Sequence, residues 1–278
     1  MFSSNFSITS RVISIIFIVS IAISFNVGTF PYKAIFVGLL FSHFFYGLYY
    51  SKKNVLQLKD KKTALFLAIL ILLSGLYFSF FMVMVAPYFL VFHAALSDAY
   101  LLPIKSKKKN PEPLKLIRSV LYIACFGLLF IQLNTTLVIV LIAIVAVSFL
   151  SVLILSEDKK GLLLLEIPLL AIVIYTKWYS ITFDIHFLGF YHILTWYVFS
   201  FWMLFVSEKN IKKTGFFFSK IIGLSAIFIL LFEMLSISIT DISFNKIIGV
   251  WSILHITTTI FLSKFNPRFI KNIFYVKI

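Results

Sequence analysis

Five histidines carry most of the chemistry open to this chain: His43, His93, His186, His192 and His255. None lies in a lysine-rich segment, and all except His186 fall inside long apolar runs. An imidazole in hydrocarbon needs a partner, either a hydrogen-bonding group on a neighbouring helix or a metal ion. Neutral imidazole is the commonest metal ligand, and iron, zinc and copper all accept it. Several imidazoles from different helices, in a dry pocket with open coordination positions, suit oxygen chemistry on an apolar substrate. His43, His93, His192 and His255 are therefore the candidate metal ligands, and iron is the candidate ion.

Three further side chains are placed to support them. Asp98 follows His93 by five residues and lies about 140° round a helix from it, so it suits orienting an imidazole on another helix. Tyr46 and Tyr50 share the helical face of His43, and Trp196 lies one turn beyond His192. For these aromatics, packing or a place in an interfacial belt is the default role. Glu166 and Glu233 are the other carboxylates within apolar runs. Thr257, Thr258 and Thr259 follow His255, where a threonine hydroxyl can bond back to the helix backbone.

The elements that must position these groups are membrane helices. The chain has 278 residues, 61% hydrophobic and 13% charged, with a mean hydropathy of +1.05. Soluble domains run at about 45–50% apolar and about 25% charged, so the apolar excess calls for a lipid solvent. Runs of about 20 apolar residues cross about 30 Å of hydrocarbon as helices. They occur at about 12–28, 33–51, 63–82, 84–103, 115–131, 136–155, 161–176, 187–206, 216–236 and 247–263. The expected fold is all-α: a polytopic bundle of about ten transmembrane helices, with residues 1–278 forming a single transmembrane domain. Arg11 precedes the first run and no small-residue cleavage site follows it, so that run reads as a retained span.

Charge sets the orientation. The net charge of +15 would point to nucleic acid in a soluble protein, but here the basic residues sit between apolar runs. They read as a topology signal and a contact for anionic lipid. Both ends of 63–103 are lysine-rich, so that stretch forms a hairpin turning between Phe80 and Pro87. With both termini on the cytoplasmic side, only Lys33, Lys177 and Lys246 of the 25 basic residues face outward. Spans two, four, eight and ten then all run inward, and their histidines sit about five to ten residues from the outer end. At 1.5 Å per residue those depths agree within roughly 7 Å, which places His43, His93, His192 and His255 in one layer near mid-membrane. The segment 264–278 alternates basic and aromatic residues and reads as an interfacial tail on the inner leaflet. Cys125, the single cysteine, cannot form an intramolecular disulfide and reads as packing.

The order of these residues resembles the bacterial Brp/Blh-type β-carotene dioxygenases, along most of the chain. His93-Ala-Ala-Leu-Ser-Asp98 resembles that family's histidine followed five residues later by aspartate. His43 resembles its earlier histidine, Tyr191-His192 through Phe199 its later motif, and His255 with Asn266-Pro267-Arg268 its final one. Trp196 stands where the family pairs a second histidine, the aspartate after its first histidine is absent, with Gly47 nearby, and the flanking glycines are missing. The resemblance implies a non-haem iron centre and oxidative cleavage of a polyene.

The reading that follows is a membrane-embedded iron oxygenase or oxidase in the cell inner or plasma membrane, acting on a carotenoid- or lipid-like substrate. Its partners would be membrane lipids and a lipophilic small molecule, with no nucleic acid. Two other classes stay open. A transporter or flippase could relay protons through Asp98, Glu166 and the histidines. A non-enzymatic scaffold could use the same polar groups as contacts with a membrane protein partner. Only 10 Gly and 7 Pro occur, which gives few of the broken helices that mark transport sites. No phosphate-binding loop, zincin motif, dinucleotide fingerprint or nucleophile elbow is present.

Overall fold

The computed structural model describes residues 4–24, 35–47, 65, 68–70, 72, 81–101, 105–207, 211–234, 252, 254–256 and 259. Lys52 to Lys62, most of the spans expected at 63–82 and 247–263, Thr257, Thr258 and the tail 264–278 lie outside them. The chain gathers into two compact units. Unit 1 is Met1–Ile18 with Pro87–Val198, and unit 2 is Val19–Ala86 with Phe199–Ile278.

Among the described residues the chain is helical, with one isolated antiparallel bridge, Ser106 to Ser156. The helices are α1 (Ser4–Ser24), α2 (Ile35–Gly47), α3 (Phe81–Leu101), α4 (Glu112–Phe130), α5 (Thr135–Leu155), α6 (Lys159–Trp178), α7 (Ile185–Phe201) and α8 (Ile211–Met234). Four described helices are long and apolar enough to cross a membrane: α4, α5, α6 and Ile211–Leu231 of α8. Their solvent is apolar. On α5, Ile139, Val147 and Ile154 are 63%, 67% and 68% exposed, and a surface of that kind is stable only against lipid or another apolar partner.

Local chemistry sets the helix ends in unit 1. Asn110 Oδ1 accepts from Glu112 N at 3.1 Å, and Pro113 occupies the first turn of α4, where its missing N–H costs nothing. Asn134 caps α5 by accepting from Leu137 N at 2.9 Å, one of four donors that a helix start leaves unsatisfied. Asp158 caps α6 by accepting from Gly161 N at 2.8 Å. α6 then makes a π-turn over Leu162–Glu166, directly before Pro168. A proline ring clashes with the carbonyl four residues back, and the wider turn relieves that clash.

α6 ends in a Schellman motif. Ser180 takes a positive φ of 53°. Ile181 N donates to Thr176 O at 2.7 Å, and Ser180 N donates to Lys177 O at 3.3 Å.

Two backbone contacts set helix directions. Lys107 N donates to Leu155 O at 2.9 Å and Glu157 N to Lys105 O at 3.0 Å, so the start of α4, the end of α5 and the start of α6 share one end of unit 1. Phe183 N donates to Leu129 O at 2.9 Å, which brings the chain after α6 to the opposite end. α4, α5 and α6 therefore alternate in direction. The two lysine-rich loops, 105–111 and 156–160, lie on the same side, as the charge pattern requires.

Candidate functional site

In unit 1 the site is built on α3 and α7. Ala94, Ala95 and Ala99 on α3 are buried at 1%, 0% and 0% exposure. Small residues of this kind let helices approach closely in a membrane. The approach brings His93 and His192 together: their rings lie 4.5 Å apart, edge to face at 67°, and both are buried. Asp98 does not carry an imidazole. It forms an ion pair with Arg11 of α1 at 3.1 Å, and it accepts from the Tyr191 hydroxyl at 2.7 Å. Its link to the histidine pair runs through Tyr191, the residue before His192, rather than through a ring nitrogen. Trp196 is half-buried against its neighbour Tyr197.

Next to this lies a second buried cluster. Arg118 on α4 donates through Nε to Glu166 Oε1 at 3.0 Å, and its Nη2 lies 2.9 Å from the same oxygen. The Tyr122 hydroxyl donates to that oxygen at 2.7 Å and accepts from Arg118 Nη2 at 2.5 Å. Arg11 stacks over the Tyr122 ring at 4.7 Å, so one guanidinium touches both clusters. Thr195 on α7 bonds Ser14 on α1 at 3.2 Å. Two arginines, one aspartate and one glutamate thus sum to no net formal charge inside the unit. Isolated, each would carry a desolvation penalty of several kcal/mol.

The charge pattern puts Arg11 and Arg118 with the basic residues of the cytoplasmic side; their side chains turn instead into the helix packing. Two signals pointed there. Ser10, Arg11 and Ser14 lie at adjacent helical positions of α1, and Arg118 lies one turn before Tyr122.

In unit 2, His43 of α2 and His255 have rings 4.6 Å apart at 64°, and both are buried. Phe44 tilts against His255 at 5.2 Å. Gly47 lies one turn beyond His43 on the same face, and a Cβ there would run into the His255 imidazole. The absent side chain is what lets His255 occupy this place. On another face of α2, Ser42 Oγ meets Ser225 Oγ of α8 at 2.9 Å, and Ser225 Oγ donates to Gly38 O at 3.1 Å. Tyr46 is buried and packs on Phe217 at 5.2 Å.

His186 stands apart. It is exposed at the start of α7, with its Nδ1 2.6 Å from Asp184 Oδ1. The four histidines singled out by the apolar runs are thus all buried, and they meet as two pairs of like geometry.

Among the described residues the chain is helical, with four helices long and apolar enough to cross a membrane and with paired, buried imidazoles. No protein-family model, curated protein or solved structure matches the chain. The likeness to the Brp/Blh-type dioxygenases thus rests on histidine order alone.

Proposed function

We propose that the two pairs act together as one metal centre, and that the protein is a metal-dependent oxidase or oxygenase for a lipophilic substrate. The observation that carries this reading is that His43, His93, His192 and His255, all buried, form a group that could hold a metal ion. The donor set fits iron: four neutral imidazoles leave coordination positions open, and among the described residues no carboxylate belongs to the group. Neutral imidazoles would leave a bound ion with more of its positive charge than carboxylates would. When bound, it supplies the redox chemistry. The chain's own residues hold the imidazoles in buried positions, with the Phe44 ring against those of His43 and His255.

The proposal includes ten spans with both termini cytoplasmic, since that arrangement puts the four histidine-bearing helices in one direction. Oxidative cleavage of a polyene is the specific reaction the histidine order points to. The carboxylates that a transport reading would use, Asp98 and Glu166, are each already held by an arginine. That favours an enzyme over a proton-coupled carrier.

The test is metal analysis of detergent-purified protein beside its optical spectrum. We expect about one equivalent of iron per chain, falling at least tenfold in His93→Ala while the helical circular dichroism is unchanged. Wild-type protein that is folded, metal-free and unable to take up added ferrous ion overturns the proposal.

A further inference from the structure

At the lysine-rich end of unit 1, two loops that connect membrane helices are fastened side by side. Lys107 N to Leu155 O (2.9 Å) and Glu157 N to Lys105 O (3.0 Å) form the bridge. The Ser156 hydroxyl adds a bond to Lys105 O at 3.3 Å and accepts from Asp158 N at 3.0 Å. The Ser106 hydroxyl accepts from Lys108 N at 3.1 Å, which folds the lysine run back on itself. The clasp holds the two loops in a fixed arrangement, and loops positioned on a rigid scaffold are where binding residues concentrate.

The clasp also sorts the charges. Each acid nearby is engaged within the unit. Glu157 pairs with Lys105 at 3.0 Å, Asp158 caps α6, and Glu112 accepts from Tyr100. Lys107, Lys108, Lys109 and Lys159 remain exposed, with no acidic partner among the described residues. Like charges held this close repel, and an anion between them relieves that repulsion. The patch lies where α4, α5 and α6 begin or end, and these are three of the helices able to cross a membrane. The anions at that depth are lipid phosphates.

We propose that loops 105–111 and 156–160 form a binding site for the headgroup of an anionic phospholipid, with Lys107, Lys108, Lys109 and Lys159 as its cationic walls. The site is independent of the histidines. It would tie one end of unit 1 to anionic regions of the membrane.

The experiment uses the full chain in mixed micelles of phosphatidylglycerol and phosphatidylcholine, with retained lipids counted by native mass spectrometry. We expect wild type to retain phosphatidylglycerol selectively. The triple variant Lys107→Gln, Lys108→Gln, Lys109→Gln should lose it about a hundredfold, since each lysine near the surface contributes about a fivefold step. Ser156→Ala keeps every charge and loosens the clasp, so it should weaken retention severalfold. The control Lys212→Gln, Lys213→Gln, Lys220→Gln removes three lysines elsewhere and should leave retention within twofold. Equal losses in triple variant and control would reduce the effect to bulk charge and overturn the site, as would no loss in the triple variant. Lysine-dependent capture of a polyglutamate peptide without lipid selectivity would assign the patch to a protein partner and overturn it too. Thermal melting of each variant separates these outcomes from misfolding.

Discussion

The two histidine pairs have nearly the same geometry, 4.5 Å at 67° and 4.6 Å at 64°, yet the two units hold them in different ways. In unit 1 the helices around His93 and His192 are held by charge: Arg11 with Asp98, and Arg118 with Glu166, each joined by a tyrosine hydroxyl. In unit 2 the helix carrying His43 is held by small residues. Gly38, Ser42 and Ser225 bring α2 to α8, and Gly47 clears the place of His255. A charged lock is intolerant of losing one member, because the other charge is then buried alone. A small-residue contact is intolerant of added volume and nearly indifferent to loss of a hydroxyl. Pairs of like geometry should therefore fail in different ways in the two units.

The largest effect should come from unit 1. Arg118→Ala leaves Glu166 buried without its cation and should destabilise the protein by about 3–5 kcal/mol, measured by denaturant titration in micelles. Replacing both partners, Arg118→Met with Glu166→Leu, should recover most of that loss. If the double variant is as unstable as the single one, the cluster is not acting as a charge pair. Next, Gly47→Ala should cost about 1–3 kcal/mol by overpacking and should move the His255 and His43 resonances in histidine-labelled NMR spectra. Unmoved His43 and His255 resonances would show that the glycine is not what seats His255. The smallest effect should be Ser225→Ala, at about 1 kcal/mol for two interhelical hydrogen bonds in a membrane. A cost above about 2 kcal/mol would mean that the serine contact, rather than close approach, holds α2 to α8.

Much of the fold was legible from apolar run lengths. The runs read at 115–131, 136–155 and 161–176 became Glu112–Phe130, Thr135–Leu155 and Lys159–Trp178. The early starts of α4 and α6 come from Pro113 and the Asp158 cap, features of local sequence that an apolar run does not display. The choice of His43, His93, His192 and His255 over His186 was legible too, because imidazoles inside apolar runs must be buried and partnered. Asp98 was singled out by its spacing from His93, but its partners were not: nothing in the spacing of one helix tells which other helix faces it.

Composition, run length and the placement of lysines determined by themselves that this chain is a bundle of membrane helices with histidines and carboxylates inside it. These properties are set by transfer of each residue from water to lipid, which depends on residue type and neighbours along the chain. Only the tertiary structure decided that His93 meets His192 and His43 meets His255. It alone turned Arg11 and Arg118 inward to neutralise Asp98 and Glu166, and made Gly47 the residue that admits an imidazole. Those outcomes depend on which helix faces packed together, a choice made among many faces of similar hydrophobicity. In lipid that choice rests on close packing and polar contacts between residues far apart in the chain.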